Sequence, residues 1–396
     1  MGEKILPDHE TGCRAIDEME FAKAGHSYPI IEHYNGSTWI LVTPAGSGKD
    51  AQVTFTGPGF VDYHAHLLRE ASGVAPLGQD LSAVRGYHLR CAGRGISPVD
   101  EPDRTPPDGL ADHLLVALTW AASTGLVEIW EAGIRDWALA DALAGLRNSG
   151  PLPLRVRLLV AAGLAEEGMP ARLGDPWLDF AGVKFYADGW LGPRTCAVSQ
   201  PFHDEPGNSG LLFETSDHLA RRIEPFANAG WTIATHAIGD RAIESVLGAY
   251  ERVFGTECAA AGPRIEHAQL LREDLIWRMA ENGVVACIQP GFAADDAPHV
   301  DRALGGDWPA AYRWSSLMAA GVRVICGSDY PIDDLEPLKG LQKLLRNPYD
   351  RLEPGAAYRL MTDGDLGTVT LSQDPRDAAG DLIDKIGVIA TDVRLG

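Results

Sequence analysis

Six side chains that commonly bind divalent metals or activate water lie in or just after short apolar segments of the sequence. They are His64, His66, Lys184, His236, His267 and Asp329. His64 and His66 are two residues apart, so on a β-strand both imidazoles point to the same side, which suits two ligands on one ion. A His-Xaa-His pair alone is usually a surface pair, and a single histidine is more often a hydrogen-bonded core residue. The metal-site hypothesis therefore depends on the four histidines lying at the same end of their strands.

Lys184 is one of seven lysines, and it lies inside the apolar segment Gly182–Ala187. A buried ammonium without a partner costs several kcal/mol. Either a carboxylate such as Asp188 neutralises it, or its Nζ carries a carbamate formed with CO₂, which is a carboxylate able to bridge two metal ions. We favour the carbamate, because four histidines and an aspartate are able to reach the same place.

Short apolar segments alternate with amphipathic ones from about residue 55 onward, which indicates strands buried on both faces separated by helices. The eight predicted strands are Phe55–His64, Leu126–Glu131, Leu154–Ala161, Gly182–Ala187, Thr232–His236, Arg264–His267, Val284–Gln289 and Val322–Gly327. This alternation predicts an α/β fold, a (β/α)8 TIM barrel, in which the C-terminal ends of the strands form the active-site face. The six candidate ligands would then meet at one mouth.

The two ends of the chain carry further β-like segments, within residues 28–56 and 366–395. These predict a small, reduced β side domain built from both termini. We therefore assign residues 1–55 and 351–396 to the side domain and residues 56–350 to the barrel.

Composition excludes several classes of partner. Asp and Glu number 55 against 34 Lys and Arg, and the net charge of −21 opposes binding to nucleic acid and to anionic membranes. No apolar run reaches the ~18–20 residues of a membrane span. Residues 1–25 lack the apolar core of a secretory signal. Six widely spaced cysteines predict reduced thiols and a cytoplasmic location. Nothing in the sequence indicates the oligomeric state.

Five motifs together resemble the amidohydrolase superfamily, and more narrowly its third amidohydrolase family, the branch that includes N-substituted formamide deformylases. They are Gly57-Pro-Gly-Phe-Val-Asp-Tyr-His-Ala-His66, Val183-Lys-Phe-Tyr-Ala-Asp-Gly-Trp-Leu-Gly-Pro-Arg194, His236-Ala-Ile-Gly-Asp-Arg241, Arg264-Ile-Glu-His-Ala-Gln269 and Gly327-Ser-Asp-Tyr-Pro331. The resemblance covers about residues 55–345. The interval between the first and fourth strands is shorter than is usual in this family, which predicts a reshaped substrate pocket.

The resemblance implies a centre of two divalent ions. His64 and His66 match the first-strand ligands, and Lys184 matches the lysine that is carboxylated as the bridge. His236 and His267 match the histidines of the second metal, and Asp329 matches the aspartate of the eighth strand. Zn²⁺ is the expected metal, although the ligand types also suit Fe²⁺, Mn²⁺ or Ni²⁺. The expected reaction is hydrolysis of a C–N bond of a small amide, formamide or cyclic amide by a metal-bridging hydroxide, with Asp329 as general acid and base.

Four residues are candidate substrate contacts, each with a structural alternative. Trp190 and Tyr330 form an aromatic wall or simply pack. Arg194 binds a carboxylate or a carbonyl group of the substrate, or forms a surface salt bridge within the protein. Gln289 binds substrate or caps loop backbone.

Two other functions stay open. The same barrel supports a metal-dependent deaminase or lyase, and a non-catalytic binding protein could retain the metals. A complete ligand set that includes the proton-transfer residue Asp329 argues against loss of catalysis.

Overall fold

A computed structural model describes residues 30–34, 39–42, 55–68, 85, 88–92, 109–305, 311–377, 383 and 386–394. The strands are β1 (Ile30–Tyr34), β2 (Trp39–Val42), β3 (Phe55–Ala65), β4 (Leu126–Ile134), β5 (Arg155–Ala161), β6 (Leu178–Tyr186), β7 (Thr232–Ala237), β8 (Arg264–His267), β9 (Val285–Ile288), β10 (Val324–Cys326), β11 (Thr362–Leu371) and β12 (Val388–Val393). They form one sheet in the order β1-β2-β12-β11-β3-β4-β5-β6-β7-β8-β9-β10.

Helices lie between successive strands from β3 to β11. They are α1 (Leu110–Ser123), α2 (Trp137–Ser149), α3 (Ala162–Glu167), α4 (Ser216–Asn228), α5 (Asp240–Phe254), α6 (Cys258–Ala261), α7 (Glu273–Asn282), α8 (Phe292–Asp295), α9 (Ala297–Leu304), α10 (Trp314–Ala319), α11 (Pro337–Leu345) and α12 (Pro354–Leu360). Local sequence sets their ends: the Asp136 side chain caps the first turn of α2 by accepting from Ala138 N at 2.9 Å, and α7 ends at Gly283 with a left-handed φ of 62°.

The eight strands β3 to β10 are parallel, and each pairs with the next along the chain. Their residues are mostly buried, as expected for strands covered on both faces. The prediction of an α/β fold built on a parallel sheet is confirmed. All six candidate ligands lie in the C-terminal half of a strand or directly after it.

The two ends of this parallel series are in contact. Asp329 N, just after β10, donates to His64 O at 2.7 Å, and His66 N donates to Tyr330 O at 2.8 Å. Gly327 permits this approach, because a Cβ there would lie 2.4 Å from the Cβ of His64. The contact brings Asp329 beside the histidine pair of β3.

Strands from both termini extend the same sheet in antiparallel fashion. β11 pairs with β3 and with β12, β12 pairs with β2, and β2 pairs with β1. A separate β side domain with boundaries at residues 55 and 350 stays a prediction. Much of its N-terminal part, including residues 1–29 and 43–54, lies outside the described residues.

Among the described residues, no helix is long and apolar enough to cross a membrane. Cys196, Cys258, Cys287 and Cys326 are buried free thiols.

Candidate metal centre

The first histidine of the β3 pair is held in one tautomer by a buried carboxylate. Glu266 Oε2 lies 2.5 Å from His64 Nδ1, and the Arg264 guanidinium binds the other oxygen of that carboxylate at 2.7 and 2.8 Å. Because a carboxylate oxygen only accepts, Nδ1–H donates to Glu266, and a metal bound on the opposite side of the ring would take the Nε2 lone pair in place of a proton. His64 Nε2 lies 3.3 Å from Asp329 Oδ1.

The second histidine of the pair reaches the same carboxylate. His66 Nε2 also lies 3.3 Å from Asp329 Oδ1, and its Nδ1 faces Glu131 Oε1 at 3.9 Å. Glu131 is fully buried, and its Oε2 accepts from Leu68 N at 2.8 Å. One aspartate oxygen therefore lies near the Nε2 atoms of both imidazoles, which point to the same side of the strand.

His236 and His267, on β7 and β8, complete the histidine group, with ring centroids 4.4 Å apart. Gln289 Oε1 accepts from His267 Nδ1 at 2.7 Å, and Gly189 O lies 3.1 Å from His236 Nε2. These bonds leave a lone pair on His267 Nε2 and on His236 Nδ1 that a metal could bind. His236 Nδ1 is buried without a hydrogen-bond partner among the described residues. Burial lowers the pKa of His267 to about 3 and that of His236 well below its usual value, so both rings are neutral, as metal binding requires.

Lys184 is fully buried on β6, with its Nζ 3.5 Å from His64 Nε2. Asp188, the alternative partner, instead accepts hydrogen bonds from the backbone N–H groups of Ala197, Ile238 and Gly239 at 2.8–3.0 Å. Burial lowers the pKa of Lys184 to about 8. A buried amine with that pKa has an appreciable neutral fraction near neutral pH, and the neutral amine is the form that reacts with CO₂.

Backbone strain is concentrated at this site. His267, Ala268 and Asp329 have φ values of 76°, 45° and 57°, in the left-handed region that non-glycine residues rarely adopt. Such residues cost roughly 1–3 kcal/mol each and cluster at functional sites. Burial alone would raise the pKa of the Asp329 carboxyl, but the surrounding imidazoles, above all His64, hold it well below its usual range.

The residues present fit a divalent metal. One ligand atom from each of His64, His267 and Asp329 lies within 4.8 Å of the others. The donor atoms are imidazole nitrogens and carboxylate oxygens, which suit Zn²⁺ and its first-row neighbours. The unpartnered His236 Nδ1 is a further buried donor that a metal would satisfy.

A cavity of about 520 Å³ opens beside these ligands. Both His267 and Asp329 line it, together with Trp190 from the loop after β6 and Phe292 of α8. The described residues of its lining include aspartates and histidines, and none of them is Lys or Arg. Of the four residues predicted to contact substrate, only Trp190 is among the described residues that line this cavity.

The other three predicted contacts have different surroundings. Arg194 is buried, and its guanidinium binds Asp204 at 2.7 and 3.0 Å and the carbonyl groups of the same loop, which is the salt-bridge alternative. Gln289 orients His267. The Tyr330 ring packs on Trp120, with centroids 5.4 Å apart.

Two buried carboxylates that face the imidazoles of His64 and His66 were not predicted from the sequence. Glu266 and Glu131 lie within apolar strands, the same anomaly that singles out Lys184. An acidic residue inside a strand that is buried on both faces requires a partner, so this signal could have identified them.

The motifs also agree with known proteins. A model of the amidohydrolase family matches residues 88–373, a range that contains Lys184, His236, His267 and Asp329 but begins after the β3 histidines. The chain is 30% identical over 292 residues to the putative amidohydrolase YtcJ of Bacillus subtilis, a match that covers 70% of this chain and 54% of YtcJ. It is 32% identical over 110 residues to the N-substituted formamide deformylase of Arthrobacter pascens, covering 27% of this chain and 20% of that protein. The chain thus spans about half the length of YtcJ.

The fold is shared with solved structures. A metal-dependent hydrolase from Pyrococcus horikoshii has a TM-score of 0.66 and 21% identity, covering 82% of this chain and 87% of that one. A guanine deaminase from C. acetobutylicum has a TM-score of 0.54 and 10% identity, covering 99% and 98%. The family model spans well over half of the sequence and includes four of the six convergent side chains. This chain therefore belongs to the amidohydrolase family.

Proposed function

We propose that the protein is a metal-dependent hydrolase that cleaves the C–N bond of a small amide, formamide or cyclic amide. The observation that carries the proposal is the position of Asp329 Oδ1, 3.3 Å from the Nε2 atoms of both His64 and His66. A carboxylate so placed, at the wall of a cavity of about 520 Å³, suits proton transfer next to a metal centre.

The proposed ligands are the six side chains predicted from the sequence. His64 and His66 would hold one ion, and His236 and His267 would hold the second. Lys184, carrying a carbamate on Nζ, would contact both, and Asp329 would complete the set. Carbamate formation joins Nζ to the carbon of CO₂ with loss of one proton from nitrogen, and it replaces a buried ammonium by an anion that cations can neutralise. Zn²⁺ is the metal we propose.

The closed barrel belongs to the same proposal. The backbone hydrogen bonds between the end of β3 and the residues after β10 support closure, because in a closed barrel the first and last strands are neighbours. A small β domain formed by the terminal strands would then flank the barrel.

The residues divide the chemistry between them. When bound, two divalent ions would lower the pKa of a water molecule and polarise the substrate carbonyl. Asp329 would accept a proton from the attacking water as its oxygen bonds to the carbonyl carbon. It then passes the proton to the nitrogen as the C–N bond breaks, which yields a carboxylic acid and an amine. Glu266 and Gln289 keep the His64 and His267 rings in the required tautomers.

A turnover screen tests this function. We expect Zn²⁺-reconstituted protein to hydrolyse at least one N-formyl amine, N-acyl amine or cyclic amide, and to lose that activity on chelation. Anionic nitrogen substituents are the last choice, because the described residues of the cavity lining include the carboxylates of Asp295, Asp296 and Asp329. Release of ammonia from an aminated ring, with no amide cleaved, would favour the deaminase instead. The absence of any turnover across amides, esters and rings would contradict the proposal.

A further inference from the structure

Gln269 carries a buried side-chain oxygen that the described protein does not satisfy. It follows β8 within the Arg264–Gln269 motif, and only 2% of its surface is exposed. Its Oε1 has no hydrogen-bond partner among the described residues. Leaving a buried acceptor unpaired costs about 1–3 kcal/mol, so an unsatisfied buried amide needs an explanation.

The backbone on both sides of this residue is fixed. Gln269 O accepts from Tyr312 N at 2.8 Å, and Leu270 N donates to Ile238 O at 3.0 Å. The two preceding residues, His267 and Ala268, are the consecutive left-handed pair. The chain is thus held in a strained turn that fixes where the Gln269 side chain begins, while its terminal torsion remains soft enough to turn either amide atom outward.

Gln269 is among the residues that line the same cavity as the candidate ligands. The cavity wall contains Gln269 together with His267 and Asp329, and the apolar side chains of Trp190, Phe292 and Ile332 form much of the remainder. In pockets of this kind a few polar groups among apolar walls fix the orientation of the ligand. A carboxamide next to the reacting centre is complementary to an amide, because its oxygen accepts the N–H that a secondary amide offers.

We propose that Gln269 determines substrate specificity by accepting a hydrogen bond on Oε1 from the N–H of a secondary amide. This rests on the proposed amide hydrolysis and narrows it: the site takes secondary amides in preference to tertiary amides, which have no N–H. A site built to bind a polar hydrogen rejects an analogue that lacks it, since its own buried group is then left unpaired.

The test uses a matched pair of probes, N-benzylformamide and N-benzyl-N-methylformamide, with the Zn²⁺-loaded full chain. Wild-type protein should show kcat/KM at least about 10-fold higher for the secondary amide. Gln269→Met keeps the length of the side chain but removes both amide atoms. It should lose about 10-fold or more on the secondary amide and less than about 2-fold on the tertiary one. Equal losses on both probes would overturn the proposal.

Stability separates a role in binding from a structural role. Because the wild-type oxygen lacks a protein partner, Gln269→Met should have a melting temperature equal to or above that of the wild type. A clearly lower melting temperature would assign the side chain to the fold and overturn the proposal. Gln200→Met is the matched control, since Gln200 is exposed and absent from the cavity lining. Gln200→Met should change neither kcat/KM for the two probes nor the melting temperature.

Equilibrium binding distinguishes failure of this proposal from failure of the proposed function. If neither probe is hydrolysed, their affinities are measured by calorimetry on the same Zn²⁺-loaded proteins. Tighter binding of N-benzylformamide that disappears in Gln269→Met would support the role of Gln269 even though hydrolysis fails. Equal affinities for the two probes, or no binding of either, would overturn it.

Discussion

Asp329→Asn is expected to lower kcat by about 10²- to 10⁴-fold, the usual contribution of a positioned acid or base. The amide keeps the shape of the carboxyl group but cannot take up the proton of the attacking water. The fold should persist, because asparagine tolerates the left-handed φ of 57° at this position as well as aspartate does. The measurement is kcat with the best amide from the screen, with circular dichroism and metal content recorded on the same preparation.

A matched control lies five residues further along the chain. Asp334 is an exposed carboxylate whose side chain pairs with Lys339 at 3.3 Å. Asp334→Asn should leave kcat within about 2-fold of the wild type, since exposed ion pairs contribute little. If Asp329→Asn retained kcat at the level of this control, Asp329 would have no part in proton transfer.

Lys184→Ala should lose more than about 100-fold in activity, because even partners that only orient metal ligands typically contribute 10- to 100-fold. Removing the side chain removes the carbamate, and with it the one proposed ligand common to both ions. Metal content should fall in the same variant. Short carboxylates such as propionate should restore part of the activity, because they can occupy the space that the carbamate leaves.

Two further measurements separate the carbamate from a simple buried ammonium. After incubation with isotopically labelled bicarbonate, the carbon NMR spectrum of the wild-type protein should contain a carbamate signal. Lys184→Met, whose side chain has a similar volume, should lack this signal. Lys339→Ala, on the surface, should keep activity and metal. Full activity in Lys184→Met would show that Lys184 does not bridge metals.

The sequence was sufficient to predict the parallel α/β fold, and the six predicted side chains lie near the C-terminal ends of its parallel strands. The strands are short, apolar and regularly spaced, and each predicted ligand lies near the C-terminal end of its strand. Alignment of parallel strands then brings these ends to one edge, so distant residues converge without knowledge of the loops.

The surroundings of the site could not be predicted in the same way, because they depend on loop conformation. Arg194 turns back onto Asp204 of its own loop, and Tyr330 packs on Trp120 of α1, neither of which follows from residue type. Gln289 shows the same limit: its position at the end of β9 is compatible with binding substrate or with orienting His267. The structure distinguishes these two roles by the distance of 2.7 Å between Gln289 Oε1 and His267 Nδ1, whose residues are 22 positions apart in the sequence.

Metal content tests the central claim most directly. Protein reconstituted with Zn²⁺, dialysed and examined by plasma mass spectrometry should contain about two equivalents of metal per chain, as expected for a two-metal hydrolytic site. His64→Ala and His236→Ala should each reduce that number, and chelation should abolish activity until Zn²⁺ is returned. A folded wild-type protein that hydrolyses its substrate with no bound transition metal would contradict the account.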